Sequence, residues 1–303
     1  MKSVLYISND GMTDPLGQSQ VLLYLKGLSK RGHRITILSC EKRQGLRDLK
    51  VETAAELSAH RIEWHSVPYA KRPPVISTGY DLSRMYRRAV RLDRENAFDI
   101  VHCRTVLSTL IGHRLKAHFG IKLVFDMRGF WVDERLEGDL WNLSNLVYGL
   151  LYRFFKRKEC QYFCEADHVI ALTERAKVVI EEMNEHSATR PPVAVIPCCV
   201  DLDHFSCVTV DENHVHARAV KLGLDENDFV MLYLGLLGTR YMLREMLEFF
   251  AEVTRSRENA RFLFITRDEH ERITSLEGDV GIAPGRILIT SSTYDEVPSL
   301  LLR

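Results

Sequence analysis

The sequence predicts an α/β protein with two doubly wound, Rossmann-like domains, the second one incomplete. Three observations predict this fold class. Most apolar runs are continuous rather than alternating, which is typical of strands covered on both faces in a parallel sheet. Segments with helical spacing of apolar residues separate these runs. The alternation stops at a polar stretch, residues 198–228, and then starts again.

Seven apolar, β-branched runs predict the strands of a first domain over residues 1–198. They lie at 4–8, 34–40, 61–67, 99–104, 122–127, 168–172 and 193–197. Helices are predicted at 18–31, 81–95, 105–118 and 174–185. Asp81 and Thr173 are the expected N-caps of the second and fourth of these helices. Gly32 is the expected glycine that ends the first one.

The second domain, residues 229–303, has fewer predicted elements. Its strands are predicted at 229–235, 261–266 and 286–292, with helices at 241–255 and near 268–276. A doubly wound domain usually needs more strands than this, so we expect the domain to be incomplete. Residues 199–228 are predicted to be the interdomain linker.

Composition excludes several classes of protein. The 303 residues contain 41 Lys plus Arg and 41 Asp plus Glu, so net charge gives no support to nucleic-acid binding. No apolar run reaches the about 18 residues that a membrane span needs. The seven cysteines form no CxxC pair, which disfavours a zinc ribbon and indicates a reducing, cytoplasmic compartment. No metal site and no cofactor are expected.

Each predicted domain has a glycine-containing loop after its first strand. Gly17 lies in the first loop, and Gly235 and Gly238 lie in the second. Open α/β sheets bind ligands outside the carboxyl ends of their strands, so we expect the two loops to face each other across a cleft. Neither loop has GxGxxG or GxxxxGK[ST] spacing, which disfavours a dinucleotide-dependent oxidoreductase and a P-loop enzyme.

Several motifs occur in a characteristic order. They are GHRITIL, FDIVHCR, KLVFDMRGFW, ADHVIALTERAK, VIPCCVDLDHF and YLGLLG. Together they resemble the family 4 glycosyltransferases of the GT-B fold, and the resemblance covers nearly the whole chain. It implies a polysaccharide-biosynthesis type of enzyme that moves a hexosyl group from a nucleotide-sugar to a glycan, a lipid-linked or a small-molecule acceptor. It also implies retention of configuration and no required metal.

The resemblance also implies where substrates bind. The acceptor is expected mostly in the first domain and the donor mostly in the second. The expected donor-binding residues are Gly17, Gly235, Gly238, Arg240, Arg244 and Glu174. The expected acceptor-binding residues are Gln18, His102, Arg104 and Trp131.

Charged residues at the end of one predicted strand, 122–127, are the candidate catalytic groups. Asp126 and Arg128 follow one strand, and side chains at this edge of a parallel sheet lie where ligands bind. A cation there could stabilise the departing phosphate. The alternative for Asp126 and Arg128 is an ion pair that orders the loop. Trp131 either stacks on a sugar or packs on the core, and the Thr173–Glu174 pair either faces the donor or only caps a helix.

Two departures from the family pattern affect the donor site. Leu236 and Tyr241 stand where the family usually has an arginine and a lysine for the diphosphate, and Arg240 and Arg244 lie nearby. The family's pair of donor-binding glutamates is not found before Arg303. We therefore expect a C-terminally truncated sequence. The alternative function is an inactive remnant that acts at most as a binding module and exposes apolar sheet surface.

Two basic segments, 81–95 and 150–159, are predicted to be amphipathic helices. Helices of this kind can lie on an anionic membrane, which would give a peripheral membrane contact. The alternative is a solvated, charged outer face on an ordinary helix.

Overall fold

The computed structural model describes residues 1–70, 72–73, 75–185, 187, 189–206, 210–238 and 241–301. They form two compact units, one comprising residues 1–136 and 140–200 and the other residues 137–139 and 201–303. Most of the polar stretch predicted as a linker therefore belongs to the second unit.

The first unit is built on a seven-stranded parallel sheet with the spatial order β3-β2-β1-β4-β5-β6-β7. The strands are β1 (Ser3–Ser8), β2 (Arg34–Glu41), β3 (Ile62–Pro68), β4 (Ile100–Arg104), β5 (Lys122–Asp126), β6 (His168–Ala171) and β7 (Val193–Val195). All seven predicted strands are confirmed. The winding direction reverses between β1 and β4, which makes this the switch point where doubly wound sheets bind ligands.

Helices cover both faces of this sheet. A π-helical segment, Gly17–Leu22, continues into α1 (Leu23–Lys30). The others are α2 (Arg43–Asp48), α3 (Lys50–Ala59), α4 (Ile76–Asn96), α5 (Thr105–Phe119), α6 (Trp131–Glu137), α7 (Leu146–Glu165) and α8 (Glu174–Met183). Leu5 and Ile7 of β1 pack into one core cluster, and Tyr6 between them packs into another. Because both faces of the strand are buried, its sequence is continuously apolar.

The predicted helix ends are partly confirmed. Thr173 caps α8, since its hydroxyl accepts a hydrogen bond from the Ala176 amide at 3.1 Å. Gly32 ends the first helix with φ of +89°. The prediction for Asp81 is wrong because α4 begins at Ile76. Asp81 is only 2% exposed, and its carboxylate accepts a hydrogen bond from the Ala70 amide at 2.8 Å, so it holds the chain that precedes the helix.

The second unit contains a three-stranded parallel sheet with the order β10-β9-β8. Its elements are α9 (Glu212–Lys221), β8 (Phe229–Leu234), α10 (Leu243–Ser256), β9 (Ala260–Ile265), α11 (Glu271–Glu277), β10 (Ile287–Thr290), a 3-10 turn (Tyr294–Glu296) and α12 (Val297–Leu301). The three predicted strands are confirmed. Phe262 and Phe264 of β9 pack with α10 and α11, and Leu263 packs on the other face with Leu300 of α12.

Candidate functional site

Polar side chains of the first unit gather at the carboxyl edge of its sheet, beside the switch point. The register pairs Ser8 of β1 with Arg104 of β4, and Arg104 with Asp126 of β5. Three neighbouring strands therefore end side by side. Arg104 is only 4% exposed, and its Nε lies 3.2 Å from Asp10 Oδ2, just beyond the end of β1.

Arg128 joins the same group. Arg128 Nη2 donates a hydrogen bond to Gln20 Oε1 at 3.1 Å, and Gln20 Oε1 also accepts one from Arg104 Nη2 at 3.1 Å. Arg128 Nη1 lies 3.8 Å from Asp126 Oδ1. Gln20 therefore holds two guanidinium groups next to each other, beside a buried carboxylate.

The backbone at Arg128 is also unusual. Its φ is +55°, which residues other than glycine rarely adopt. At the next residue, Gly129, φ is +138°, which favours glycine, and a Cβ there would have to displace the Glu134 carboxylate, since it would lie 2.2 Å from Oε1. The tight turn of these two residues aims the Arg128 side chain back over the sheet edge, and strain of this kind is common at functional sites.

Asp126 Oδ1 and His102 Nε2 are buried at this edge without a hydrogen bond, as is Arg104 Nη1. None of these atoms has a hydrogen-bond partner among the described residues, although Arg128 Nη1 lies 3.8 Å from Asp126 Oδ1 and Asp126 Oδ2 lies 3.5 Å from His102 Nε2. The His102 ring lies 4.8 Å from the Tyr6 ring and 6.2 Å from the Tyr24 ring, centroid to centroid. Buried polar groups are normally paired, so these three atoms are available to a ligand or a water molecule.

The tyrosines beside His102 stay neutral over the physiological pH range. Burial raises the pKa of Tyr6 far above its ordinary value, and the Asp126 charge raises it further, while Arg104 acts in the opposite direction. Burial likewise raises the pKa of Tyr24. The charges at this edge therefore belong to the arginines and the aspartates.

Glu41 fixes the loop between β1 and the π-helical segment. Its side chain is 0% exposed and accepts hydrogen bonds from the Met12 amide at 2.6 Å, the Thr13 amide at 3.2 Å and the Thr13 hydroxyl at 2.7 Å. The Ser39 hydroxyl is a further donor. A loop that would otherwise have unpaired amides is thereby anchored to the end of β2.

Gly17 is required by the packing of the same loop. A Cβ there would lie 2.1 Å from the Gly11 carbonyl oxygen, so the loop's own backbone occupies the space. Gln18 donates from Nε2 to the Met12 carbonyl at 2.8 Å and lies away from the arginines. Gln20, two residues on, is the side chain that reaches them, and we did not predict it.

Trp131 packs mainly against aromatic neighbours. Its ring lies 5.6 Å from Trp141 and 5.3 Å from Phe155, and the Arg135 guanidinium lies over it at 4.8 Å. This supports the core-packing alternative over sugar stacking. Glu174 is exposed in the first turn of α8, where a carboxylate is favoured by the helix dipole.

In the second unit, the loop after β8 is held by several hydrogen bonds. Tyr233 Oη donates to the Leu236 carbonyl at 2.6 Å, and the Leu237 amide donates to Asp268. A Cβ at Gly235 would lie 3.1 Å from Tyr233 Oη, and the Gly238 carbonyl accepts from the Tyr241 amide at 3.0 Å. The loop thus has a defined conformation that depends on Gly235.

The two arginines predicted for the donor site have different outcomes. Arg240 lies outside the described residues. Arg244 is on α10 and forms ion pairs with Glu248 at 3.3 Å and Asp279 at 3.8 Å. Its charge is therefore already balanced by two carboxylates.

A cavity of about 390 Å³ lies at the carboxyl ends of β9 and β10, and it was not predicted. Its lining is polar and comprises Thr266, Arg267, His270, Ser291, Ser292, Thr293 and Glu296. Hydrogen bonds from Thr293, together with Arg218, lower the pKa of Glu296 to about 2. The cavity offers hydroxyl groups, a guanidinium and a carboxylate. The strand-end rule could have found Thr266 and Ser291 in the sequence.

The described residues contain no group of three or more His, Cys, Asp or Glu side chains arranged to hold a metal ion. In the same part of the chain, no helix combines the length and the hydrophobicity that a bilayer span requires.

Comparison with solved structures defines the fold class. The Anabaena protein HepE, solved with UDP and glucose, is 12% identical, with a TM-score of 0.65 over 99% of this chain and 72% of its own. Sucrose-phosphate synthase from Thermosynechococcus elongatus is 12% identical, with a TM-score of 0.66 over 100% of this chain and 73% of its own. A glycosyltransferase from Rickettsia africae is 13% identical, with a TM-score of 0.64 over 98% of this chain and 70% of its own. The fold is GT-B.

The family model named Glycosyltransferase Family 4 matches residues 17–204. The chain belongs to this family, and the resemblance seen in the motifs is confirmed. No curated protein sequence matches the chain.

Proposed function

We propose that the chain transfers a hexosyl group from a nucleotide-sugar to a glycan, lipid-linked or small-molecule acceptor, with retention and without a metal ion. Family membership supports sugar transfer. The structure of HepE with UDP and glucose supports the donor class. The observation that carries the proposal is the pair of guanidinium groups, Arg104 and Arg128, held by Gln20 beside buried Asp126.

In this proposal, Arg128 stabilises the negative charge that develops on the departing diphosphate. A guanidinium suits this role because it is always charged and presents several donors in a fixed plane. Asp126 orients Arg128 and balances its charge, and it lies beside His102, with Asp126 Oδ2 3.5 Å from His102 Nε2. The two arginines would supply the positive charge that a metal ion supplies in other transferases, which supports metal independence.

The acceptor is proposed to contact His102 and Arg104 at the strand ends, with Gln18 farther away on the same unit. In the second unit, the nucleotide is proposed to bind at the carboxyl ends of the strands. The polar cavity lined by Arg267, Ser292 and Glu296 supports this, since a ribose and phosphates need hydroxyl, cationic and acidic partners.

The test is a donor panel. UDP-, GDP- and ADP-sugars are incubated with the purified chain, with and without saccharide acceptors, and released nucleoside diphosphate is measured. Arg128→Ala should lower kcat by about 100-fold with little change in donor affinity. Arg87→Ala, which removes an exposed arginine of α4, is the matched control and should leave kcat unchanged. An Arg128→Ala variant as active as the parent would contradict the assignment.

A binding module without catalysis is the competing function, and one observation favours it. Every residue of β8 and β10 is at least partly exposed, including Phe229 at 39% and Leu234 at 46%. The two functions differ in the donor panel, because a binding module gives a calorimetric signal with a nucleotide but no product. If none of the donors in the panel binds or reacts, both proposed functions are wrong.

We also propose a cytoplasmic location. The described cysteines Cys40, Cys103, Cys160, Cys164, Cys198 and Cys199 are all free thiols. Free thiols persist in a reducing compartment, which supports this location.

A further inference from the structure

The thiols of the first unit differ in how accessible their sulfur atoms are. Cys40 and Cys103 are buried, and burial raises the pKa of Cys40 to about 12 and the pKa of Cys103 still further above its ordinary value. Cys164 is half-buried, and its thiol donates to Asn184 Oδ1 at 3.2 Å. The thiolate is the form of cysteine that attacks other groups, so thiols in such places react slowly. The exposed thiols are Cys160, Cys198 and Cys199.

Cys198 is the exposed thiol that a cation contacts. Arg128 Nη2 donates a hydrogen bond to Cys198 Sγ at 3.3 Å. Partial burial raises the pKa of Cys160 above its ordinary value, and Cys199 Sγ donates to the Pro197 carbonyl at 3.3 Å. Within the described part of the chain, neither of these two sulfur atoms accepts a hydrogen bond from a guanidinium or ammonium group. Reactive cysteines lie in partly exposed, electropositive surroundings, and Cys198 fits this description best.

A second guanidinium group lies beside the one that contacts Cys198. Gln20 Oε1 accepts hydrogen bonds from both Arg128 and Arg104. Arg104 Nε is paired with Asp10 at 3.2 Å, but Arg104 Nη1 is buried without a hydrogen-bond partner among the described residues. Buried donors are normally paired, so this edge of the sheet has a donor to spare for an anionic group. The surroundings of Cys198 therefore favour a reagent that carries negative charge.

Arg128 has an alternative partner at a short distance. Its Nη1 lies 3.8 Å from Asp126 Oδ1, which is buried and accepts no hydrogen bond from the described residues. A shift of about 1 Å would bring these two atoms to hydrogen-bond distance. A group attached to Cys198 Sγ would occupy the space beside the guanidinium and favour this shift. Arg128 would then exchange its contact with Cys198 for one with Asp126.

We propose that Cys198 is a modification site that forms a mixed disulfide with a small anionic disulfide, with the Arg128 guanidinium attracting the carboxylates of the incoming molecule. The Cys198 thiolate attacks one sulfur of that molecule. A bond forms between Cys198 Sγ and this sulfur, and the S–S bond of the small disulfide breaks. The other half leaves as a thiolate and takes up the proton that Cys198 lost. Cys198 is oxidised and the departing sulfur is reduced, so no further oxidant is needed.

The modification would act on the proposed reaction through Arg128. A mixed disulfide next to the guanidinium, and the shift of the guanidinium to Asp126, would remove it from the place where it stabilises the departing diphosphate. Sugar transfer should therefore fall when Cys198 is modified and return when a small thiol removes the added group. This step rests on the proposed function, whereas the modification itself does not.

The experiment compares two disulfide reagents on the full chain without nucleotide. One is the dianion 5,5′-dithiobis(2-nitrobenzoate), and the other is the neutral 2,2′-dithiodipyridine. Each releases a coloured thiol, so the rate is read by absorbance. One thiol should react with the dianion at least about tenfold faster than the others, and Cys198→Ser should remove this fast phase. Cys199→Ser is the matched control and should keep it.

The role of the guanidinium is tested with the same two reagents. Arg128→Ala should slow the reaction of Cys198 with the dianion about tenfold, and the reaction with the neutral reagent by clearly less, because only the dianion is attracted by the charge. Arg87→Ala, on the exposed side of α4, should react like the parent. An unchanged circular dichroism spectrum shows that the variants fold. A fast phase that survives Cys198→Ser, or that Arg128→Ala slows equally for both reagents, would overturn the proposal.

Oxidised glutathione, which carries carboxylates, then tests the physiological form of the reaction. Mass spectrometry of the intact chain should show one added glutathione in the parent and in Cys199→Ser, and none in Cys198→Ser. Dithiothreitol should remove it. The absence of the adduct in the parent would contradict the proposal. Since no nucleotide is present in these measurements, a failed donor panel leaves them unaffected, and the loss of transfer on modification is measured only if the panel succeeds.

Discussion

The two units share the alternation of strand and helix but differ in how far their strands are buried. In the first unit, β1 has one partly exposed residue and five buried ones, and it lies inside a seven-stranded sheet. In the second unit, only the middle strand, β9, reaches the same pattern, whereas β8 and β10 have no fully buried residue. A strand needs neighbours on both sides as well as helices on both faces to be buried. The small sheet therefore has less apolar burial to support its folding.

The largest effects should come from the two cores. Phe125→Ala and Phe264→Ala each remove a fully buried ring and should cost about 4 kcal/mol of the free energy of unfolding. All three tryptophans, Trp64, Trp131 and Trp141, lie in the first unit. Phe264→Ala should therefore move the circular dichroism transition in denaturant and leave the tryptophan fluorescence transition in place.

Phe125→Ala should move the fluorescence transition. If Phe264→Ala shifts both signals equally, the two units unfold together and the comparison between them fails.

The loop anchor of the first unit should give the next largest effect. Glu41→Ala leaves two amides and two hydroxyls without their acceptor and should cost about 3 kcal/mol. Glu63→Ala is the control, because the Glu63 carboxylate is 52% exposed and should contribute less than about 1 kcal/mol. Fluorescence-detected unfolding measures both. Equal losses in the two variants would show that Glu41 anchors nothing.

The next largest effect on stability should depend on pH. Burial raises the pKa of Glu159 from 4.5 to about 6, although Lys156 lies 3.1 Å away. As pH rises from about 4.5 to about 6, the unfolded chain loses this proton first, so the folded unit loses stability over that window. Glu159→Gln cannot ionise and should be more stable than the parent by about 2 kcal/mol above pH ~6.5.

Below pH ~4, Glu159→Gln and the parent should be equally stable, since the carboxyl group is then protonated in both states. Denaturant titrations at several pH values measure the difference. A constant difference at every pH would contradict the titration and indicate a packing effect.

The smallest effect should come from matched glycines in the two units. Gly120 has φ of +70° and Gly281 has φ of +74°, and a Cβ would meet nothing within 4 Å at either position. Alanine should therefore cost about 1 kcal/mol at each, from the backbone conformation alone. Gly120→Ala should move the fluorescence transition and Gly281→Ala only the circular dichroism transition. The reverse assignment would contradict the division of the chain into these units.

The positions of the strands were predictable because double-sided burial leaves a continuous apolar run in most of them. The start of α4 at Ile76 was not predictable, since Asp81 looks like a good N-cap in isolation. The residue that decides its role, Ala70, lies eleven positions away in sequence. Helix α3 escaped prediction because only Thr53 and Leu57 are buried along it.

The candidate site was predictable only in part. Asp126, Arg128, His102 and Arg104 follow from the strand-end rule, and the structure brings them together. Gln20 could not be chosen over Gln18, because its contact with Arg128 joins residues 108 positions apart. Glu41 looks like a surface residue at the end of a strand, and only the folded loop reveals the four groups that bind it.

The π-helical segment Gly17–Leu22 has a consequence for how relatives of this chain can diverge. A π turn contains one more residue than the α turn it replaces. Deleting one residue there would turn each preceding side chain by about 100° relative to α1 without disturbing the sheet. A side chain other than Gln20 would then contact Arg104 and Arg128, although no residue had been substituted. The length of this segment therefore decides which side chain faces the two arginines, and alignments of relatives should be inspected for single-residue gaps here.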